Sequence, residues 1–129
     1  MPLWLWVALG SAAGGVARYG VARLLPTVPG AWPVATMTVN VAGSFAIGWF
    51  AAFFAARAAA GGAAVEATEA LKLFWMTGVL GGFTTYSAFA LETVTLASAG
   101  EALRAALYVI ATFALCLVAA IAGRALGPG

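Results

Sequence analysis

One uncharged stretch, residues 73–91, constrains the fold of this chain more than any other feature. It is bounded by Lys72 and Glu92, and as a helix rising 1.5 Å per residue it would extend roughly 28 Å, close to the thickness of a bilayer core. Gly81 and Gly82 interrupt its middle, and the hydroxyl-bearing residues 84–87 follow them. Backbone groups that a break exposes in hydrocarbon must be satisfied by protein, water or an ion. The sequence therefore predicts a membrane span that is non-helical at the two glycines, with the functional site at the break.

Composition indicates an integral membrane protein. Of the 129 residues, 64% are hydrophobic and 8% are charged, whereas roughly 25% are charged in a typical soluble domain. The chain has no histidine, and Cys116 is its single cysteine, which excludes internal disulfides, zinc clusters, and His-based or Cys-His catalysis. The formal net charge of +2 is too small to indicate nucleic-acid binding. We therefore expect neither an enzyme nor a nucleic-acid-binding protein.

Four apolar segments predict four transmembrane helices in a single domain covering residues 1–129. The first segment lacks a positively charged leader, so it is interpreted as a retained span and not as a removable signal. It is expected to stop before Pro26 because a proline disfavours helix in the preceding residue. The predicted spans cover residues 3–25, 32–56, 73–91 and 103–123. Residues 58–69, between the second and third spans, are expected to form a polar loop.

The basic residues are divided equally between the two sides of this topology. The two sets are Arg57, Lys72 and Arg124 on one side, and Arg18, Arg23 and Arg104 on the other. The positive-inside rule therefore favours neither orientation. Either other features correct a weak bias, or the chain inserts both ways and pairs head to tail. Four short helices have little room for an aqueous path and oligomers usually close by two-fold symmetry, which favours assembly.

An asparagine lies in the middle of the second predicted span. At helical spacing Asn40 shares a face with Thr36, Gly43 and Ser44. Small residues allow close helix packing, and an asparagine can join helices by hydrogen bonds. Packing explains the glycine well but the central amide less well, so Asn40 is interpreted as a pore-lining residue.

A polar stripe runs along the fourth predicted span. Tyr108, Thr112 and Cys116 recur every four residues on one helix face. These side chains could pass an ion or water along the helix. Alternatively, the hydroxyls could bond to their own helix backbone, with the cysteine acting as a small apolar residue. From the residues alone, the second interpretation is favoured.

Two charged residues lie at the edges of the predicted spans. Arg18 is interpreted either as a cation that reaches the lipid headgroups or as part of an anion funnel. Glu92 is either a solvated boundary charge, which the residues alone favour, or a gate. Beyond the break, Phe83, Tyr86 and Phe89 recur every three residues, so their rings could line a path.

Three ordered motifs in this sequence resemble the signature segments of the CrcB or Fluc family of fluoride channels. They are GGVARYG in the first span, TVNVAGSFAIG in the second and GVLGGFTTYSAF in the third. The resemblance covers all four spans. It implies an antiparallel, dual-topology homodimer in the cell membrane, with two pores that passively export fluoride from the cytoplasm and relieve its toxicity.

The resemblance also assigns roles to individual residues. Backbone carbonyls of Gly81 and Thr84 from both subunits would hold a structural sodium ion at the two-fold axis. Glu92 matches a glutamate near the pore end of the family, and Arg18 and Glu92 are the candidate vestibule residues. The residues that would line the fluoride pore are Asn40, Tyr86, Ser87, Phe89, Tyr108, Thr112 and Cys116.

This chain departs from the family pattern at three positions. Where the family usually has TTFSTF, this sequence has TTYSAF, which places a phenol at Tyr86 and a methyl group at Ala88. Cys116 stands where a serine or threonine is common. An alternative function, that of a small proton-coupled multidrug exporter, requires a carboxylate in the first span, and that span has none.

Overall fold

The computed structural model describes residues 1–26, 28, 31–60 and 65–128. These residues form an all-α structure. The third hydrophobic segment of the sequence is divided among several helices. The helices are α1 (Leu3–Leu24), α2 (Val34–Ala60), α3 (Val65–Lys72), the π-helix π1 (Leu73–Leu80), α4 (Gly81–Phe83), α5 (Tyr86–Ser98) and α6 (Ala102–Leu126).

The predicted helix limits hold at the start of the chain and fail between the second and third spans. Helix α1 ends at Leu24, and the Leu25 N–H donates to the Val21 carbonyl at 2.9 Å just before Pro26, as expected. The predicted loop over residues 58–69 is wrong, because α2 runs on to Ala60 and α3 begins at Val65. Alanine, glutamate and lysine are strong helix formers, so this polar composition does not prevent helix. Residues 61–64 lie outside the described residues.

The break in the third segment lies three residues later than predicted. Gly81 has helical angles, with φ −62° and ψ −37°, and α4 continues to Phe83. The backbone becomes extended only at Thr84, with ψ 159°, and at Thr85, with φ −151°. The prediction of non-helical glycines at positions 81 and 82 is therefore wrong.

Threonine side chains define the two ends of the break. The N–H and Oγ1 of Thr84 both donate to the Leu80 carbonyl, at 3.0 and 2.9 Å, which closes the last turn. Thr85 then begins α5, since its Oγ1 accepts the Ala88 N–H at 3.2 Å. This is the usual role of a threonine at a helix N-terminus.

Glycines bring α1 and the third segment into backbone contact. A Cβ on Gly10 would collide with the Phe74 carbonyl, and one on Gly82 would lie 2.5 Å from the Ser11 carbonyl. Later residues of α1 therefore meet later residues of the third segment, so the two run in the same direction. Gly82 is consequently required for close helix packing and not for a break.

Helices α2 and α6 pack in the same parallel way. A Cβ on Gly123 would collide with the Phe45 carbonyl, and one on Gly127, just beyond α6, would lie 2.5 Å from the Ala52 Cβ, so later residues of α2 meet later residues of α6. Since α1 lies parallel to π1 and α2 lies parallel to α6, the molecule consists of two parallel pairs, which α5 joins by packing against α6.

Two of the described helices are long and apolar enough to cross a membrane by length and composition. They cover Val34–Ala59 and Ala102–Leu126, with mean hydropathies of 1.6 and 2.5. Large apolar side chains on α6 point outward, for example Ile110 and Ile121, which are 65% and 69% exposed. Such an apolar exterior is typical of a surface that contacts lipid or another subunit.

Candidate functional site at the helix break

A recess of about 370 Å³ lies beside the break, bounded by α2, the third segment and α6. It brings together most of the side chains and carbonyl-bearing residues expected from the sequence. These are Asn40, Gly81, Thr84, Tyr86, Phe89, Thr112 and Cys116. None of the described residues that line it is charged, so the recess presents dipoles and ring edges.

The side-chain amide of Asn40 binds the backbone at the break. Its Oδ1 accepts the Thr85 N–H at 2.8 Å, and its Nδ2 donates to the Thr85 carbonyl at 3.0 Å. Thr85 is buried, so these bonds satisfy groups that would otherwise be costly to bury. The second N–H of the Asn40 side-chain amide takes part in neither of these two bonds. Asn40 therefore stabilises the break and also lines the recess.

The break also leaves two backbone carbonyls without the N–H donors that they would have in a continuous helix. In an uninterrupted helix, the N–H of Thr85 would donate to Gly81 and that of Ala88 to Thr84. Here the Thr85 N–H donates to Asn40 and the Ala88 N–H donates to the Thr85 side chain. The carbonyls of Gly81 and Thr84 thus lose their normal helical partners beside the recess.

Glu92 is the centre of a hydrogen-bond cluster that connects three helices. Thr36 Oγ1 donates to Glu92 Oε1 at 2.7 Å, and the Tyr108 hydroxyl donates to Glu92 Oε2 at 2.8 Å. The interpretation of Glu92 as a merely solvated boundary charge is therefore wrong. A carboxylate in this position accepts two charge-assisted bonds and joins α2, α5 and α6.

Tyr108 does not line the recess, because its side chain is fully buried behind it, with 0% exposure. Its ring centroid lies 5.2 Å from that of Phe89, which does line the recess. Tyr108 therefore positions Phe89 from behind, and its hydroxyl proton is used by Glu92.

Thr112 has a buried hydroxyl with no hydrogen-bond partner among the described residues. The residue is only 5% exposed. By contrast, Thr93 and Thr95 donate to their own helix carbonyls, at 2.8 and 2.9 Å. The sequence interpretation in which the hydroxyls of α6 bond to their own backbone therefore does not describe Thr112 or Tyr108.

The rings beyond the break lie at the open side of the recess. Tyr86 is 80% exposed, and its ring centroid is 5.8 Å from that of Phe89. Phe83 is not among the lining residues. Ser87 is also outside the recess wall; it is exposed, and its Oγ lies 3.4 Å from Thr85 Oγ1.

Arg18 is not brought to the recess. It lies half-buried on α1, a helix that contributes no lining residue. Sequence reasoning missed Thr36 and Thr85 as members of the site. Thr36 shares the helix face of Asn40, which was an available signal, whereas the role of Thr85 depends on a partner that is 45 positions away.

Comparison with known proteins identifies the family. Residues 5–124 match the model for CrcB-like protein, Camphor Resistance (CrcB). A protein of Paracoccus denitrificans named fluoride-specific ion channel FluC is 46% identical over 126 residues, which cover 98% of this chain and 94% of the relative.

Two further relatives carry the same name. The protein of Methylobacterium sp. is 44% identical over 121 residues, covering 94% of this chain and 89% of the relative. That of Hyphomonas neptunium is 48% identical over 106 residues, covering 81% and 79%. With its family model matched over nearly the whole length, this chain belongs to the CrcB-like family of membrane proteins.

Proposed function

We propose that the protein is a fluoride-selective channel that lets fluoride leave the cytoplasm passively through the recess at the helix break. The names of relatives more than 40% identical over nearly the whole chain support this function. The structural observation that carries it is the unpartnered hydroxyl of Thr112 in the wall of an uncharged recess.

The recess offers what a small, strongly hydrated anion needs. Fluoride must exchange its water for hydrogen-bond donors, and a fixed cation would bind it too tightly for release. The Thr112 hydroxyl and the second N–H of Asn40 supply donors, and the rings of Tyr86 and Phe89 supply positive edges. Several weak sites allow both entry and exit.

Ser87, Tyr108 and Cys116 complete the proposed path. Cys116 lines the recess one helical turn beyond Thr112. Tyr108 and Ser87 lie next to the recess without lining it. From Thr112 toward the start of α6, the proposed path passes the hydrogen-bond cluster of Glu92, Thr36 and Tyr108. Glu92 would then lie near one end of the conduction path, with Arg18 on the same side of the membrane, where charge influences ion entry.

A second copy of the chain is proposed to close the recess. The 80% exposed ring of Tyr86 leaves one side of the recess uncovered in a single chain. The equal division of basic residues between the two sides supports insertion in both orientations, and antiparallel pairing gives a closed two-fold dimer. The two parallel helix pairs fit four alternating membrane crossings per chain.

The carbonyls of Gly81 and Thr84 fit a structural sodium ion at the two-fold axis. Both have lost their helical donors, and carbonyl oxygens suit a hard cation. Two carbonyls from each subunit would supply four oxygens. The ion would offset inward-pointing dipoles and hold the two breaks together, while the pore residues carry fluoride.

Fluoride efflux from liposomes tests the channel function directly. The purified protein is reconstituted into vesicles loaded with potassium fluoride, a potassium ionophore carries the balancing charge, and a fluoride electrode records release. We expect rapid fluoride efflux and no matching chloride efflux under the same gradient. Fluoride release equal to that of protein-free vesicles would contradict the proposal.

A further inference from the structure

Four aromatic rings form a continuous series that ends in the wall of the recess. The ring centroids of Trp32 and Tyr108 are 6.3 Å apart, those of Tyr108 and Phe89 5.2 Å, and those of Phe89 and Tyr86 5.8 Å. Aromatic rings at such distances attract each other in edge-to-face and tilted arrangements. Phe89 and Tyr86 line the recess, whereas Trp32 and Tyr108 do not. Trp32 therefore reaches the recess wall through one intermediate ring, that of Tyr108.

The Tyr108 ring is held at two points. Its hydroxyl donates to Glu92 Oε2 at 2.8 Å. Because the hydroxyl lies on the axis about which the ring turns, this bond does not by itself fix the tilt of the ring plane. Trp32 packs edge-to-face on the ring, with an angle of 79° between the two planes, and this contact opposes a change of tilt. Since Tyr108 packs at 46° against Phe89, the tilt of one ring constrains the other.

The backbone around Trp32 is itself constrained. Trp32 lies just before α2, and its carbonyl accepts the Val34 N–H at 2.8 Å. Pro33 follows it and is buried, and a proline restricts both its own φ and the conformation of the residue before it. The half-buried indole of Trp32 is thus presented to Tyr108 from a restricted segment.

We propose that Trp32 is a positioning residue for anion passage, which acts through Tyr108 on the tilt of the Phe89 ring. The edge of an aromatic ring is positive and its face is negative, so the tilt determines which of the two meets an anion in the recess. The ring series itself stands on the centroid distances. Its effect on conduction rests on the proposed channel function.

A second tryptophan provides the matched control. Trp6 packs edge-to-face on Phe74, with centroids 6.2 Å apart and planes at 88°. Trp6 is half-buried like Trp32, and neither it nor Phe74 lines the recess. The two contacts are alike in geometry, and only that of Trp32 leads to the recess.

The tilt of the ring at position 89 is measured by ¹⁹F NMR. 4-Fluorophenylalanine is incorporated at that position alone, and spectra are recorded in detergent for the wild type, Trp32→Leu, Trp32→Met, Trp32→Phe and Trp6→Leu. Leucine and methionine both remove the ring at position 32, so one of them can replace the other if it does not fold. Fluoride efflux of the unlabelled variants is measured in liposomes and normalised to folded, reconstituted protein.

Loss of the ring at position 32 should shift or broaden the ¹⁹F resonance, and Trp32→Phe should restore it. Trp6→Leu should leave the resonance unchanged. Fluoride efflux should fall about fivefold in Trp32→Leu and Trp32→Met, the factor that corresponds to about 1 kcal/mol of aromatic pairing. Trp32→Phe and Trp6→Leu should stay within about twofold of the wild type. A tryptophan that served only as an anchor at the membrane interface would not change the resonance at position 89.

Three results would overturn the proposal. They are an unchanged ¹⁹F resonance in Trp32→Leu or Trp32→Met, a Trp32→Phe variant as impaired as Trp32→Leu, and equal loss of efflux in Trp6→Leu and Trp32→Leu. Failure of the channel function is distinguishable from these, because efflux would then be absent from the wild type as well, while the resonance would still report the position of the ring.

Discussion

The side-chain amide of Asn40 forms two hydrogen bonds with the backbone of Thr85, one in each direction, at 2.8 and 3.0 Å. The bond from the Thr85 N–H replaces the one that a continuous helix would give that group. It also releases the carbonyl of Gly81, because the N–H that would reach it is used by Asn40. One side chain on α2 therefore stabilises the break and forms part of the recess wall.

Asn40→Asp should impair both folding and conduction. The aspartate keeps an acceptor for the Thr85 N–H but loses the donor to the Thr85 carbonyl, and the loss of one hydrogen bond costs about 0.5–1.5 kcal/mol. Its negative charge would also repel an anion in the recess. We expect a lower thermal unfolding midpoint in detergent and fluoride efflux near background. A variant with the midpoint and the efflux of the wild type would contradict both roles.

Gly81→Ala and Gly82→Ala form a matched pair of substitutions in consecutive helical residues. A Cβ on Gly82 would lie 2.5 Å from the Ser11 carbonyl, whereas one on Gly81 has nothing within 4 Å. Gly82→Ala should lower the unfolding midpoint. In a single chain, Gly81→Ala should stabilise the helix by up to about 1 kcal/mol. Within one subunit, an alanine at position 81 is therefore not strained.

The Gly81→Ala variant therefore tests whether two chains form a dimer through this face. If its open face meets a second subunit at the two-fold axis, Gly81→Ala should give folded protein with weakened dimers, measured by light scattering during size-exclusion chromatography. If the Gly81→Ala protein is folded, fully dimeric and unchanged in its sodium dependence, the helix face that carries Gly81 does not lie at the two-fold axis. Tolerance of Gly82→Ala would contradict its close packing on α1.

Glu92 and Tyr108 should be energetically coupled. The Tyr108 hydroxyl donates to the carboxylate at 2.8 Å, and a hydrogen bond to a charged group contributes about 1.5–3 kcal/mol. Tyr108→Phe should lower the unfolding midpoint strongly when Glu92 is present and weakly in the Glu92→Gln background. This double-mutant cycle is measured by thermal denaturation in detergent. Additive effects of the two substitutions would show that the bond contributes nothing to stability.

The sequence supported the prediction that the third segment is broken, and it supplied half of the described residues that line the recess. Polar groups in apolar runs were informative because burial in lipid requires them to have partners. The position of the break was missed because glycine was taken as a helix breaker. Gly82 is instead needed where α1 comes close, and the break is formed by threonines whose side chains compete with helix bonds.

Long-range partners explain the remaining errors. Glu92 was interpreted as a boundary charge because its partner Thr36 is 56 positions away. No local pattern reveals such a contact. Residues 65–69 were assigned to a loop from their polar composition, yet their helix-forming residues begin α3.

The role of Thr112 tests most directly whether the recess is the fluoride path. Thr112→Val removes a buried, unpartnered hydroxyl with little change in shape, and Thr95→Val makes the same change at an exposed position on α5. Fluoride efflux from liposomes, normalised to reconstituted protein, should fall about tenfold for Thr112→Val, the effect of losing a hydrogen bond of about 1.4 kcal/mol in the transition state for passage. Thr95→Val should match the wild type. Equal efflux from the wild type and Thr112→Val would show that fluoride does not pass this hydroxyl and would contradict the proposed path.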